Sequence, residues 1–382
     1  MTVSENISGY APGELFLAAE RENNKKRRNL LVNLRQAKHF PAVPSEALEL
    51  FDKLGRRIGE ALPGGKTLII AFAETATALG ARAAAFLSQL YPEKDIFFIH
   101  TTRENISREF IIADFSEEHS HASSQLLFCR DKDVFRNADN IVFIDDELTT
   151  GKTIINCVSE LLPLTGNCRF FAASLINGMN RDNLARFHDN NITPLWLMKT
   201  ENCSDVMEKD MEISPERDSI SEPADMDIFR ENFPYEPRLG CSSADYAKGC
   251  EELAENIFRN ISPALPRDKS SYIALIGTEE CMLPSVILGQ LLENKGYNVR
   301  CRSTTRSPIV PCCREGYPLF SRCLLDSVYE KGRSVYLYNS VPCALAVIVT
   351  DGADTEALKL TAGAAMADRS VGIMLQKAGE VA

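Results

Sequence analysis

The stretch Ile141–Thr153, IVFIDDELTTGKT, decides the fold of the first part of this 382-residue chain. Four apolar residues lead into Asp145 and Asp146, and a Thr/Gly turn then leads into a segment with apolar residues at helical spacing. This order predicts a buried strand that stops at the two acids and a helix that starts at about Thr153. Such a junction places two carboxylates beside helix N-terminal amides. It can therefore hold a diol or a hydrated metal together with a phosphate, as a sugar phosphate requires.

The end of this stretch is also similar to an ATP-binding P-loop, but one required residue is missing. That motif needs a glycine five positions before the Gly of GKT, and position 146 is Asp, whose carboxylate would repel a phosphate. A plain βα turn with capping residues would explain one Thr or Asp. It does not explain two acids followed by three threonines and a glycine, so the residues favour the sugar-phosphate site.

IVFIDDELTTGKT resembles the 5-phosphoribosyl-1-pyrophosphate (PRPP) signature of type I, orotate-like phosphoribosyltransferases at every position. The resemblance implies that Asp145 and Asp146 contact the ribose hydroxyls and, indirectly, a magnesium ion. It implies a cradle for the 5′-phosphate, formed by Thr149, Thr150, Gly151, Lys152 and Thr153. The chain would then be a glycosyltransferase that transfers phosphoribosyl to, or cleaves it from, an unidentified base-like acceptor. The alternative is a regulatory protein that binds PRPP or a nucleotide without catalysis.

Length and composition are those of a globular protein with two domains. Apolar residues make up 45% of the chain and charged residues 25%, and the net charge of −11 argues against a broad nucleic-acid-binding surface. The twelve cysteines contain no CxxC pair, and the five histidines complete no zinc pattern. We find no signal peptide and no apolar stretch long enough to span a membrane. We therefore expect free thiols in a reducing cytoplasm.

Strand and helix patterns alternate along most of the chain. In the first part, strands are predicted at 67–72, 95–100, 141–144, 170–176 and 192–197, which implies a doubly wound, mostly parallel α/β sheet with ligands at the carboxyl ends of its strands. We expect a first domain over residues 1–200, in which residues 1–65 form a hood-like segment. Residues 201–236 are rich in acids and lack periodicity, which is typical of a linker. Residues 237–382 predict a second, smaller α/β domain.

The turn after strand 67–72 is a candidate pyrophosphate site. It leads from a buried strand into a helix, so its amides point at the strand end. By resemblance to the family, this turn binds pyrophosphate through Ala73, Glu74, Thr75, Ala76 and Thr77. The alternative is a plain βα turn with a Thr cap.

Two further segments are candidates for the chemistry at the anomeric carbon. Arg103 follows Thr101 and Thr102 at the end of the next predicted strand, where it can neutralise phosphate oxygens or form a surface ion pair. Residues 115–122 lie where type I enzymes carry their flexible catalytic loop. Their candidate proton-transfer groups are Glu118, His119 and His121. The alternative is a polar surface loop.

The N-terminal segment supplies candidates for contacts to the acceptor. In this family a variable hood covers the acceptor and determines which base enters. By resemblance, Lys38 and His39 would take that role.

The second domain contains the tetrapeptide TRSP at residues 305–308. It resembles the TRSP domain found C-terminal to a bacterial phosphoribosyltransferase subfamily of tellurium- and stress-resistance gene clusters. The strings FAETAT, TTRE and EEHSHA of the first domain are similar to the same subfamily. The resemblance implies PRPP and an unidentified small-molecule acceptor as ligands. A homodimer and partners from the same gene cluster are open expectations.

The two domains are also similar to each other in the order of their motifs. Each has a polar turn after one strand, a Thr-Thr-Arg turn after the next, and an acid after a later strand. The residues of interest in the second domain are Thr278, Glu279, Thr305, Arg306 and Ser307. Our hypothesis is that the second domain is a divergent copy with a decayed signature, able to bind a phosphorylated ligand. The alternative is that any two α/β domains align this loosely. The hypothesis requires both Thr-Thr-Arg turns to follow corresponding strands.

Overall fold

The computed structural model describes residues 2–22, 29–115, 125–201 and 219–377. The chain divides into two compact units. Unit 1 is built from residues 1–10, 49–203 and 235–248, and unit 2 from residues 11–48, 204–234 and 249–382.

The described ranges contain both strands and helices. In chain order the strands are β1 (Thr2–Asn6), β2 (Phe16–Glu20), β3 (Asn29–Asn33), β4 (Thr67–Ala71), β5 (Ile96–His100), β6 (Ile111–Phe115), β7 (Gln125–Phe128), β8 (Asn140–Leu148), β9 (Arg169–Asn177), β10 (Ile192–Glu201), β11 (Ser219–Ile220), β12 (Asp227–Asn232), β13 (Cys241–Ser242), β14 (Tyr272–Gly277), β15 (Asn298–Ser303), β16 (Arg322–Asp326), β17 (Ser334–Tyr338), β18 (Leu345–Thr350) and β19 (Ser370–Gln376). The α-helices are α1 (Pro12–Leu15), α2 (Pro44–Ala61), α3 (Thr77–Leu90), α4 (Asp133–Asn137), α5 (Lys152–Leu161), α6 (Arg181–Asp189), α7 (Ser243–Ile261), α8 (Leu283–Asn294) and α9 (Thr355–Ala364).

Unit 1 contains a seven-stranded sheet in the order β1-β10-β9-β8-β4-β5-β13. The five strands from β10 to β5 are parallel, and the edge strands β1 and β13 pair antiparallel. The predicted mostly parallel α/β sheet is confirmed. The direction of winding reverses between β4 and β8, since β4 is followed in sequence by β5 on its other side. In such sheets ligands bind in the crevice outside the strand ends at this reversal.

Strand β4 shows why the sequence forms the centre of this sheet. Its five residues, TLIIA, are all buried, because elements cover both of its faces and no solvent-facing alternation is needed. On one face Gly80 of α3 lies against Ala71. On the other, Leu68 and Ile70 join a core that includes Ile154 of α5 and residues of the antiparallel hairpin β6–β7.

Unit 2 contains a five-stranded parallel sheet in the order β12-β19-β18-β14-β15. A three-stranded sheet, β11-β16-β17, includes the antiparallel hairpin β16–β17. A separate hairpin, β2–β3, packs into this unit through Ala19, Leu30 and Val32, which share a core with Ile309 and Tyr338. The predicted second α/β domain is therefore present, with a smaller main sheet than that of unit 1.

The limits of the two units differ from the predicted domain boundaries. Residues 11–48, predicted as part of a hood on the first domain, belong to unit 2, and residues 235–248 belong to unit 1. The predicted linker 201–236 contains strands β11 and β12 within its described part. Strand β12 is partly exposed, and it is ordered by backbone pairing with β19. Its side chains, DIFREN, lack the apolar alternation that would predict a strand.

The boundaries within the signature stretch are also shifted. Strand β8 does not stop at the acids, because it continues to Leu148 through pairing with β9, where Asp145 lies opposite Ser174. Helix α5 begins at Lys152, one residue before the predicted start.

In the described ranges, no helix is both long and apolar enough to cross a membrane. The eleven cysteines in those ranges are free thiols.

Candidate functional site

Three strand ends of unit 1 meet at the reversal of winding. Ala71 at the end of β4 lies opposite both His100 of β5 and Ile144 of β8. The residues that follow these positions therefore lie at the same level of the sheet: β4 and β5 end here, whereas β8 continues along β9. They are the turn 72–76, the turn 101–103 and the acid pair, which sequence analysis had predicted separately.

The acid pair is half-buried and is connected to the turn after β4. Asp146 Oδ1 accepts a hydrogen bond from Thr75 Oγ1 over 2.8 Å, and Asp145 Oδ1 accepts one from the Asp146 backbone amide over 2.9 Å. Both carboxylates keep exposed area at the strand ends. They can therefore contact a polar ligand there.

The turn 149–151 joins the acid pair to α5. Gly151 has φ +70°, a conformation that favours glycine, and it is the N-cap residue of α5. A Cβ atom at this position would lie 2.1 Å from Phe187 Cε1, so the turn also needs glycine for space. Asn183 Nδ2 donates to the Thr149 carbonyl over 3.4 Å. The N-terminal amides of the ten-residue helix α5 lie next to four half-buried polar residues, which are Thr149, Thr150, Lys152 and Thr153.

The turn after β4 is held by a buried network. The peptide bond between Ala73 and Glu74 is cis. The Ala73 amide donates to Thr101 Oγ1 over 2.8 Å, and the Ala73 carbonyl accepts from Gln125 Nε2 over 2.6 Å. Thr101 Oγ1 in turn donates to Gln125 Oε1 over 2.5 Å. Every member of this network is buried, so the network fixes the shape of the turn.

The rest of this turn is also largely enclosed. Glu74, Ala76 and Thr77 are buried, whereas Thr75 is half-buried. Thr77 Oγ1 donates to the Glu74 carbonyl over 3.4 Å at the start of α3. Thr75 is thus the member of the turn that reaches the acid pair.

Arg103 leaves the sheet at the next strand end. Thr102 pairs with Leu126 of β7 through two backbone hydrogen bonds of 2.8 Å, and Arg103 follows directly, half-buried. The structure therefore brings together the acid pair, the turns 73–77 and 149–153, and the base of the Thr-Thr-Arg turn.

Comparison with known proteins agrees with this geometry. Residues 15–195 match the model of a phosphoribosyl transferase family, PRTase_2, and residues 235–364 match the TRSP domain that lies C-terminal to it. Residues 15–195 belong to the phosphoribosyltransferase family. The phosphoribosyltransferases are glycosyltransferases, and unit 1 carries the strand ends and turns of this domain.

Solved phosphoribosyltransferases are similar to part of the chain. Adenine phosphoribosyltransferase from Trypanosoma brucei is 14% identical, with 55% of this chain and 90% of that chain covered and a TM-score of 0.36. Adenine phosphoribosyltransferase from Thermoanaerobacter pseudethanolicus is 15% identical, with 48% of this chain and 95% of that chain covered and a TM-score of 0.32. Orotate phosphoribosyltransferase from Aeropyrum pernix is 19% identical, with 40% of this chain and 71% of that chain covered and a TM-score of 0.26. Among curated proteins, none matches the chain in sequence.

The predicted catalytic loop of the phosphoribosyltransferase domain lies outside the described residues. Glu118, His119 and His121 fall in the segment 116–124, between β6 and β7. Their proposed proton-transfer role stays a prediction.

Lys38 and His39 were predicted as acceptor contacts of the phosphoribosyltransferase site, but both pack within unit 2. The Lys38 ammonium donates to the Glu279 carbonyl over 2.6 Å and to the Thr304 carbonyl over 3.0 Å. His39 Nε2 lies 3.5 Å from Thr305 Oγ1. Both side chains are buried in these contacts. The structure therefore places them at strand ends of unit 2, which is called the TRSP unit below because it contains residues 249–364 of the TRSP match.

The residues of interest in the TRSP unit form a compact cluster. Glu279, with φ +45° and a fully buried side chain, accepts from Arg306 Nε over 2.5 Å. Thr278 Oγ1 donates to Thr350 Oγ1 over 2.8 Å, and the Ser307 amide donates to Thr305 Oγ1 over 3.2 Å.

Several residues of these sites had no signal in the sequence. Gln125 holds the turn at Ala73, and Arg333 reaches Glu279 from a distant hairpin. Both lie in polar segments without a motif, and their roles depend on long-range strand pairing.

Proposed function

We propose that the chain is a PRPP-dependent phosphoribosyltransferase that acts on a base-like acceptor. The observation that carries this proposal is the meeting of the acid pair, the turn after β4 and the glycine turn before α5 at one edge of the sheet. Carboxylates match the ribose hydroxyls as hydrogen-bond acceptors. The amides of the α5 N-terminus match a phosphate. PRPP carries both groups.

Asp145 and Asp146 would accept hydrogen bonds from the ribose 2′- and 3′-hydroxyls. The 5′-phosphate would lie on the turn of Thr149, Thr150, Gly151, Lys152 and Thr153. Pyrophosphate would lie against the turn 73–77, with Arg103 as a cationic partner. The Thr75 bond to Asp146 supports this arrangement, because it fixes the pyrophosphate turn relative to the acid that holds the ribose.

The reaction breaks the bond between the anomeric carbon and a pyrophosphate oxygen, and the bonding electrons leave with pyrophosphate. A bond forms between the anomeric carbon and a ring nitrogen of the acceptor, which loses a proton where it carries one. Positive charge develops on the ribose as the first bond breaks, so the two half-buried carboxylates stabilise it electrostatically. The same groups serve the reverse reaction, in which pyrophosphate cleaves a nucleotide-like bond.

The acid pair also suits a magnesium ion. Asp145 and Asp146 would hold a hydrated ion indirectly, because Mg²⁺ usually keeps several of its waters and is bound together with the phosphates of a substrate. When bound, the ion neutralises charge on the pyrophosphate group. Within the described residues, no group of three or more side chains is placed to hold a metal ion by itself.

Other parts of the proposal rest on the sequence. The TRSP tetrapeptide and the strings FAETAT, TTRE and EEHSHA support membership of the tellurium- and stress-resistance subfamily. The cysteine pattern favours a reducing cytoplasm.

The test measures PRPP-dependent pyrophosphate release by the full chain across a panel of purine, pyrimidine and pyridine bases. We expect release with at least one acceptor. The Asp145→Asn/Asp146→Asn variant should lower the rate by about 100-fold or more, since it removes the charge that stabilises the ribosyl cation. Asp189→Asn, on an exposed carboxylate at the end of α6, is the control and should not change the rate. Tight PRPP binding without turnover across the panel would contradict the catalytic proposal.

A further inference from the structure

Unit 2 repeats the strand order of unit 1. In unit 1 the chain visits β4, β5, β8 and β9, which lie in the sheet as β9-β8-β4-β5. In unit 2 it visits β14, β15, β18 and β19, which lie as β19-β18-β14-β15. Each unit inserts an antiparallel hairpin between the second and third of these strands, β6–β7 in one and β16–β17 in the other.

The two Thr-Thr-Arg turns make the same hydrogen bonds. Each first Thr donates its amide to the last residue of the first strand: Thr101 to Ala71 over 2.9 Å, and Thr304 to Gly277 over 3.0 Å. The hydroxyl of each first Thr also accepts a hydrogen bond from the backbone amide two residues after the end of the first strand. Thr101 Oγ1 accepts from the Ala73 amide over 2.8 Å, and Thr304 Oγ1 accepts from the Glu279 amide over 3.0 Å.

The second Thr of each turn pairs with the hairpin. Thr102 exchanges two backbone hydrogen bonds with Leu126 of β7, and Thr305 exchanges two with Tyr336 of β17. Both turns therefore follow corresponding strands, as the duplication hypothesis requires. A loose similarity between two α/β sheets would not reproduce these bonds at matching positions.

The matched bonds define which residues correspond. Glu279 takes the place of Ala73 in the turn after the first strand. Since Gly277 lies opposite Val349 as Ala71 lies opposite Ile144, Asp351 takes the place of Asp146, and Thr350 that of Asp145. One acid of the pair is thus retained, two positions beyond the residue that lies opposite the last residue of the first strand.

We propose that the TRSP unit is a divergent second copy of the phosphoribosyltransferase core, and that its own β16–β17 hairpin keeps the ligand site of this copy closed. The inference goes beyond the proposed function, because it concerns the other unit. It does not require that PRPP be the substrate of the first.

The tip of the hairpin, residues 327–333, bonds to the strand ends that would receive a ligand. The Tyr329 hydroxyl donates to Asp351 Oδ1 and lies 3.1 Å from the Thr278 carbonyl. Ser327 Oγ donates to Glu279 Oε1 over 2.5 Å, and Arg333 Nη2 donates to Glu279 Oε2 over 3.1 Å. The Tyr329 hydroxyl thus forms a hydrogen bond with the retained acid, Asp351. At the corresponding place, the first unit would hold a sugar hydroxyl.

Charges at the closed site compensate each other. Glu279 is paired with both Arg306 and Arg333, and Arg306 also lies 3.9 Å from Glu280. The Glu279 carboxylate stands among these cations at the position of Ala73, where it would repel a phosphate. An anion that bound here would have to break ion pairs of the buried Glu279, and breaking a buried pair is strongly destabilising.

Hydrogen exchange of the full chain, followed by mass spectrometry over residues 327–338, tests the closure. In the wild type we expect the hairpin amides to be protected and to be unaffected by inorganic pyrophosphate. Tyr329→Phe removes the bond to Asp351 and keeps the ring, so exchange in this segment should become about tenfold faster. Ser327→Ala removes the hydrogen bond to Glu279 and should also make exchange in this segment faster.

The matched control is Tyr297→Phe, because the Tyr297 ring packs against Lys269 elsewhere in unit 2. It should leave exchange in the hairpin unchanged. Fast exchange of the wild-type hairpin, or no effect of Tyr329→Phe and Ser327→Ala, would overturn the inference. So would added protection by pyrophosphate that is lost in Arg306→Gln, since it would show an open anion site. Absence of phosphoribosyl transfer in the first unit affects none of these readouts.

Discussion

The hydroxyl of Thr75 donates a hydrogen bond to Asp146 Oδ1 over 2.8 Å, across 71 positions of sequence. This bond connects the turn after β4 to the acid pair on the neighbouring strand, β8. A half-buried carboxylate without such a partner would sample several rotamers. The bond therefore orients Asp146 for a ligand that also contacts the turn.

The first prediction concerns this bond. Thr75→Val keeps the shape of the side chain and removes its hydroxyl, so Asp146 loses an orienting donor. We expect the KM for PRPP to rise about tenfold, which corresponds to about 1.4 kcal/mol, the size of one hydrogen bond. Steady-state kinetics with PRPP as the varied substrate measure the change. Thr75→Ser retains the hydroxyl and should stay close to the wild type. Equal kinetics of the Val and Ser variants would show that the bond has no role.

The second prediction concerns Gln125, which holds the turn at Ala73. Gln125→Leu leaves the Ala73 carbonyl without its buried donor and the Thr101 hydroxyl proton without its buried acceptor, so we expect unit 1 to lose about 2 kcal/mol of stability. Urea unfolding followed by fluorescence of Trp196, the single tryptophan of the chain, measures this loss within unit 1. Gln89→Leu, on an exposed position of α3, should change stability by less than about 0.5 kcal/mol. A Gln125 variant as stable as the Gln89 variant would contradict the role of the network.

The sequence was most informative where local pattern determines structure. The strand that contains Leu68 and Ile70, the helix that starts near Lys152 and the turn at Gly151 were all predictable, because burial and backbone conformation constrain these residues locally. The acid pair was recognisable for the same reason.

What the sequence did not predict depends on contacts between distant segments. Residues 11–48 belong to unit 2 because Lys38 bonds to carbonyls more than 240 positions away. Strand β12 is ordered by pairing with β19, which its own side chains do not indicate. The turn at Ala73 likewise depends on Gln125, which is 52 positions away and lies at the start of β7.

The third prediction concerns alkaline pH. Burial raises the pKa of the Cys129 thiol to about 11, above its ordinary value of 9.0. Between pH 9 and 11 the unfolded chain loses this proton while the folded chain keeps it, so the thiol lowers stability as pH rises and has no effect below pH 9. At pH 10 the loss should be about 1 kcal/mol.

Urea midpoints at pH 8 and pH 10, followed through Trp196, measure this effect. Cys129→Ala should reduce the fall in the urea midpoint between pH 8 and pH 10. Cys313→Ala, at an exposed position, should leave it unchanged. A drop of the same size in all three proteins would contradict the assignment to Cys129.

The fourth prediction concerns the turn that would cradle the 5′-phosphate. Gly151→Ala places a Cβ on a residue with φ +70° and within 2.1 Å of Phe187 Cε1. The left-handed conformation alone costs about 1–2 kcal/mol, and the overlap with the buried Phe187 ring adds to it. Unit 1 should therefore be destabilised by about 2 kcal/mol or more. PRPP affinity should fall as well, because the amides of residues 149–152 must shift. Gly64→Ala is the control, since a Cβ there meets nothing within 4 Å. Urea unfolding and calorimetric titration with PRPP measure both effects. A Gly151 variant that is destabilised yet binds PRPP as tightly as the Gly64 variant would place the phosphate elsewhere.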